Sequence, residues 1–170
     1  MCILTKKDLF AKIVKSQKKI IKILIVIIFY AAVAFLGASF TDISSDWYTS
    51  LILPAVQPPP AAFMYVWAFI YPLLTVLTSL VIINESFSNR LRNLLLAYGI
   101  LNILWSYAFF TMQNPFGSII ILAVLLFIGY LIYKELEKIK PLYSYLFIPY
   151  LVWLTFSLFL NYGVLFLNPV

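Results

Sequence analysis

The sequence predicts an all-α membrane protein, a bundle of five transmembrane helices, on three observations. Of 170 residues, 64% are apolar and only 11% are charged. The mean hydropathy is +1.02. A water-soluble domain carries about 25% charged residues, so this chain cannot coat itself with polar side chains and must face lipid. The apolar residues also fall in five continuous runs near the roughly 20 residues that a helix needs to cross a bilayer. Barrel strands would instead alternate polar and apolar residues over segments of about ten. Finally, if the five runs zigzag, all twelve Lys and Arg residues fall on one side, the cytoplasmic side by the positive-inside rule. The length leaves no room for an extramembrane domain.

Residues 1–22 form a basic segment with seven lysines (Lys6, Lys7, Lys12, Lys15, Lys18, Lys19 and Lys22) against Asp8 alone. Apolar residues recur in it at Leu9, Phe10, Ile13, Val14, Ile20 and Ile21, close to one helical face. It reads either as a basic helix on anionic headgroups or as a charge cluster that retains the N-terminus in the cytoplasm. Residues 23–170 form the membrane domain. Its first span covers about 23–40 and continues past the small residues Ala32 and Ala34, which argues against a cleaved signal peptide.

Asp42 and Asp46 mark the loop that follows, and a proline-studded stretch with Pro54, Pro58, Pro59 and Pro60 leads into the second span, 61–83. Three consecutive prolines are excluded from a helix interior, because each lacks a donor and clashes with the preceding turn. They are tolerated at a helix mouth, where the first N–H groups have no intrahelical partner. The stretch is therefore expected to be a stiff lid packed on the entrance of the second helix.

Arg90 and Arg92 lie in the next turn, and the third span, 94–111, ends at the uncharged Gln113-Asn114-Pro115. The fourth span covers 118–133. A turn with Lys134, Lys138 and Lys140 precedes the fifth span, 146–167. Basic residues thus number seven, two and three on one side and none on the other. The expected topology is N-terminus in the cytoplasm, C-terminus and lid outside, consistent with a bacterial inner membrane.

The chain has no histidine, and Cys2 is its one cysteine. That excludes His-ligated haem, His- or Cys-built zinc sites, Ser-His-Asp catalysis and an internal disulfide; no metal site and no required cofactor are expected. No Asp, Glu, Lys or Arg lies inside a span, unlike ion pumps and proton-coupled carriers. No domain-sized repeat suggests an inverted-repeat transporter. Nothing points to nucleic acid; the expected surroundings are membrane lipid.

The spans do carry aromatic and amide residues. Trp67 lies in the second, Asn102 and Trp105 in the third, and Trp153, Ser157 and Asn161 in the fifth. The spacings i,i+3 and i,i+4,i+8 put each set on one stripe. At about 1.5 Å per residue they sit roughly 10–21 Å below the outer surface, deeper than an interfacial aromatic belt. Two readings remain open. The amides and serine can be interhelical glue worth about 0.6–2 kcal/mol each, with tryptophans filling space. Alternatively, the set walls a pocket for a flat apolar ligand.

Several blocks in collinear order resemble the TspO/MBR family, the tryptophan-rich sensory proteins and mitochondrial translocator (peripheral-type benzodiazepine receptor) proteins. They are Trp47-Tyr48, Leu51, Pro54 and Pro58-Pro59; Val66-Trp67 and Tyr71; Leu101-Asn102, Trp105 and Phe109-Phe110; and Pro149-Tyr150, Trp153, Phe156 and Leu160-Asn161. The resemblance implies a homodimer of five-helix chains, each with a porphyrin- and sterol-binding cavity capped by the first loop. Protoporphyrin IX or haem is the implied ligand, and Tyr48, Pro58 and Pro59 of the lid join Trp67, Asn102, Trp105, Trp153, Ser157 and Asn161 as candidate binding residues. If the chain degrades porphyrin as some bacterial members do, Trp67 and Trp153 are the implied catalytic pair. Another reading is a membrane scaffold acting through a protein partner, for which Ala34-xxx-Ala38 offers a small-residue contact surface. The chain departs from the family pattern at Leu53 (Lys in the family), Val56 (Trp), Thr75 (Gly) and Phe166 (the basic residue of the animal sterol motif).

Overall fold

The computed structural model describes residues 6–84 and 86–169. Cys2 lies outside the described residues. The described chain is all-helical: α1 (Lys6–Phe40), α2 (Asp46–Ser50), α3 (Pro60–Ile83), α4 (Asn89–Ser106) extended by a π-turn (Tyr107–Thr111), α5 (Pro115–Ile139) and α6 (Pro141–Leu167). Five helices are long and apolar enough to cross a membrane.

The helix starts follow from local chemistry. Pro60, Pro115 and Pro141 occupy the first turns of α3, α5 and α6, where the missing donor costs nothing. Ser88 caps α4 by accepting from Leu91 N at 3.0 Å, and Asn114 caps α5 by accepting from Gly117 N at 2.8 Å, the side-chain capping that free N–H groups require.

From Lys6 on, the basic segment and the first span form one helix without a break, 35 residues or about 52 Å long. The polarity switch near Ile23 therefore does not end the helix. The later spans likewise outrun their apolar runs: α5 extends through Lys134 and Lys138 to Ile139, and α6 begins at Pro141 rather than near Leu146. Exposed polar residues end an apolar pattern without ending backbone hydrogen bonding.

Contacts close the five long helices into a ring in the order α1, α3, α6, α5, α4. One end holds the charges: Lys19 Nζ donates to the Ile83 carbonyl at 3.0 Å, Arg90 Nε lies 3.3 Å from Glu135 Oε1, and Lys138 Nζ lies 2.8 Å from the same oxygen. The half nearest this end is packed solid, with Leu77, Val81, Leu91, Leu95, Ile132, Leu136 and Phe147 all buried. Gly99 lets α1 approach α4 closely, since a Cβ there would collide with the Phe29 ring. The opposite half is hollow.

Candidate ligand-binding cavity

The hollow half is closed by the segment between α1 and α3, which is more ordered than a plain loop. Asp42 Oδ1 accepts from Ser44 N at 2.9 Å and Ser44 Oγ at 2.7 Å, which holds the Asp42 carboxyl below the usual carboxylate range. Ser45 then caps the single turn of α2 by accepting from Tyr48 N at 3.3 Å. The sequence contained this signal, a serine just before Asp46-Trp47-Tyr48, but five residues are too few to show periodicity.

The lid is fastened on two sides. The Trp47 ring meets Phe109 edge-on at 5.5 Å, and Tyr48 lies 5.6 Å from Phe110. Both phenylalanines sit in the π-turn, whose extra residue per turn lets adjacent positions serve one surface. At the C-terminal end of α6, Asn168 clamps Ile52 as a peptide group would: Ile52 N donates to Asn168 Oδ1 and Asn168 Nδ2 donates to Ile52 O, both at 2.9 Å. Gly163 receives Pro54, because a Cβ there would come within 2.6 Å of Pro54 Cγ. Burial raises the Tyr48 phenol above its ordinary value, partly offset by the Gln57 side chain.

Beneath the lid is a cavity of about 710 Å³, within the roughly 300–1,000 Å³ of small-molecule sites. Four helices and the lid wall it, and α5 contributes no lining residue. Ala34, Gly37 and Ala38 of α1 make a thin wall, so the proposed helix-contact pair Ala34 and Ala38 borders the cavity. Trp67 is the hub of the aromatic wall. It stacks on Tyr71 (5.1 Å, 23°) and touches Trp105 (6.4 Å), Tyr150 (5.9 Å, edge-on) and Trp153 (6.4 Å, edge-on).

Of the residues singled out from sequence, Tyr48, Trp67, Asn102, Trp105, Ser157 and Asn161 line this cavity. Pro58 and Pro59 do not; Pro60 does. Trp153 stands behind Trp67, against Phe63 and Phe156, and borders a separate apolar groove with Val66 and Val152. The reason is helical drift. Each step of four residues advances about 40° beyond a full turn, so Asn161 is rotated by about 80° from Trp153. A stripe at i,i+4,i+8 does not stay on one wall.

The amides are engaged between helices. Asn102 Nδ2 donates to Tyr98 O at 2.7 Å, and its Oδ1 accepts from the Tyr150 hydroxyl. Asn161 Oδ1 accepts from Trp105 Nε1 at 3.3 Å and from Ser118 Oγ at 2.7 Å, while Nδ2 donates to Ser157 O at 2.9 Å. Glue and pocket are thus the same residues: the amides fix the rings that form the wall. Ser157 Oγ, buried at 2% exposure, has no hydrogen-bond partner among the described residues. Tyr71, one turn after Trp67, and Ala34 and Ala38 of α1 were legible in the sequence as a family match and a helix-contact pair, but not as cavity wall, where the structure places them. Sequence reasoning could not find the π-turn. Among the described residues no group of three His, Cys, Asp or Glu could hold a metal ion.

The chain matches the TspO/MBR family profile over residues 25–167. It is 30% identical over 157 residues to "Tryptophan-rich protein TspO" of Chlorobaculum tepidum, covering 90% of this chain and 99% of the relative. A protein of the same name from Archaeoglobus fulgidus is 31% identical over 156 residues, 88% and 98% of the two chains. "Protein CrtK" of Rhodobacter capsulatus is 29% identical over 147 residues, 84% and 91%.

Proposed function

The chain belongs to the TspO/MBR family, and we propose that this multi-pass membrane protein binds a porphyrin or similarly flat apolar molecule, sterols included, beneath its lid. Its role on this reading is sensory or regulatory, or transport of that ligand. The observation that carries the reading is the Trp67–Tyr71–Trp105 wall on a cavity of about 710 Å³. Flat π-systems pack well on such surfaces, at about 0.5–1.5 kcal/mol per aromatic pair beyond area burial. Titrating protoporphyrin IX into protein in lipid nanodiscs tests it. Saturable quenching of tryptophan fluorescence, weakened in Trp67→Phe, is expected; no saturable quenching in the wild type sinks the reading.

A second reading, oxidative breakdown of the bound porphyrin by dioxygen in light, draws on the contact of Trp67 with Trp153 at 6.4 Å. Trp67 borders the ligand space and Trp153 extends the path of oxidisable rings away from it. The porphyrin absorbance band would then fade faster with wild-type protein than with Trp67→Phe/Trp153→Phe. Equal fading would leave binding alone.

We propose further that the chain forms a homodimer in a bacterial inner membrane with its basic end in the cytoplasm and the lid outside. The uneven distribution of basic residues supports the orientation. In a Cys2→Ser background, Ser50→Cys should react with a membrane-impermeant maleimide on intact spheroplasts. Reaction only after lysis would reverse the topology.

A further inference from the structure

Between neighbouring long helices of the ring, the thinnest contact is that of α3 with α6. Along this seam runs a groove of about 330 Å³, bordered by Val66 and Phe69 of α3 and by Pro149, Val152 and Trp153 of α6. Every residue that lines it is apolar or aromatic. Phe69 is 59% exposed and Val152 62%, so the groove opens away from the bundle. Trp153 lies near the middle of α6, whose 27 residues exceed the roughly 20 that span a bilayer core. The groove therefore opens into hydrocarbon.

A single layer of rings separates this groove from the cavity. Trp153 borders the groove, and its ring meets Phe63 at 5.2 Å and Trp67 at 6.4 Å, both edge-on. Phe63 and Trp67 line the cavity. Trp153 is the least anchored member of the layer. The Trp105 N–H is tied to Asn161 at 3.3 Å, whereas Trp153 Nε1 is buried and has no hydrogen-bond partner among the described residues. Packing alone holds the ring, and the groove beside it is room into which the ring can turn.

The backbone is loosened at the same seam. Of the five spanning helices, α3 and α6 are the two with a proline in the interior, Pro72 and Pro149. Pro149 stands one turn before Trp153 and cannot donate to the Tyr145 carbonyl, which makes the helix easier to bend there. The lid, by contrast, is fastened by the Asn168–Ile52 hydrogen bonds and by Trp47 and Tyr48 on the π-turn. A flat apolar molecule is also far better dissolved in the bilayer than in water.

We propose that the groove is a lateral entrance to the cavity, through which an uncharged apolar molecule dissolved in the bilayer core passes between α3 and α6 by displacing Trp153 while the lid stays closed. The proposal rests on the ligand-binding reading above and adds the route and the chemical class that can use it.

The test follows uptake of protoporphyrin IX dimethyl ester, an uncharged probe, from nanodisc lipid by stopped-flow quenching of tryptophan fluorescence. A lid lock separates the two routes. A Cβ on Gly163 would lie 3.3 Å from Pro54 Cβ, close to the roughly 3.8 Å of a disulfide. Pro54→Cys/Gly163→Cys in a Cys2→Ser background thus tethers the lid to α6 when oxidised. Its oxidised and reduced forms are expected to take up the probe at equal rates. Trp153→Ala removes both edge-on pairs and should raise the association and dissociation rates together by about tenfold. Its Kd should stay within about threefold of wild type, a split that a merely structural role does not produce. Val66→Phe, which fills the groove, should slow both rates. Uptake that stops on oxidation of the lid lock and returns on reduction places the entrance at the lid and overturns the proposal, with the binding reading intact. Wild-type rates in Trp153→Ala overturn it as well. The lid lock leaves Trp153 unchanged and decides the route even where Trp153→Ala does not fold. No saturable quenching in the wild type overturns both the entrance and the binding reading.

Discussion

Trp105 and Asn161, on helices α4 and α6, are joined by a hydrogen bond from the indole Nε1 to the amide Oδ1 at 3.3 Å. The same oxygen accepts from Ser118 on α5 at 2.7 Å. One amide thus ties three helices at the inner wall of the cavity and sets the tilt of a ring that faces the ligand space.

Asn161→Leu is expected to destabilise the bundle. It strands the Trp105 N–H, at about 1–3 kcal/mol for a buried group left unsatisfied. Intramembrane hydrogen bonds measured by paired substitutions average nearer 0.6 kcal/mol, so the lower part of that range is the firmer expectation. A fall in the thermal midpoint in detergent checks it. Ser118→Ala should cost less, because Asn161 keeps its other donor.

Trp67 and Trp153 should differ sharply on substitution. Trp67 lines the cavity and contacts four rings. Trp67→Phe should weaken porphyrin by about three- to tenfold, the equivalent of one aromatic pair at about 0.5–1.5 kcal/mol. Trp153→Phe removes a ring that stands behind it and should change affinity by less than about twofold. Isothermal titration in nanodiscs measures both. Equal losses would mean that the ligand reaches past Trp67.

Asn168→Ala removes both hydrogen bonds to Ile52, and Gly163→Val displaces Pro54. Either should let the lid open more often. At about 0.5–1.5 kcal/mol per hydrogen bond, amide exchange across residues 44–53 should accelerate roughly 5- to 100-fold in Asn168→Ala. The packed half around Leu91 and Ile132 should keep its protection. Unchanged exchange in the lid would show that the π-turn contacts alone hold it.

The lid turn should respond to acid. Ser44 hydrogen bonds depress the Asp42 pKa, so the carboxylate's contribution is present above the ordinary carboxylate range. It is lost as pH falls through the depressed value. Ser44→Ala should raise the Asp42 pKa toward about 3.9, as followed by carboxyl NMR shifts. A pKa that stays put would assign the shift to another cause.

Much of this architecture is legible before any coordinates. Prolines at helix mouths, five apolar runs and a one-sided charge distribution each reflect local or bulk properties: a missing donor, a transfer free energy, a membrane asymmetry. The lid's position follows from them, and Trp67 and Trp105 on its inner side follow from helical spacing. Helix ends were less legible. A run such as Lys134–Ile139 is polar enough to leave lipid yet stays hydrogen-bonded as helix.

The remaining features arise from pairs of residues distant in the chain. That Asn102 and Asn161 are engaged while Ser157 is not depends on whether Tyr150, Trp105 and Ser118 reach them. Composition cannot say so. The same holds for Trp153, which a few tens of degrees of helical drift per turn turn away from the wall that Asn161 shares. Lipid solvent and chain connectivity dictated the five-helix bundle; the ring order and the meeting of side chains across it dictated which groups a ligand can touch.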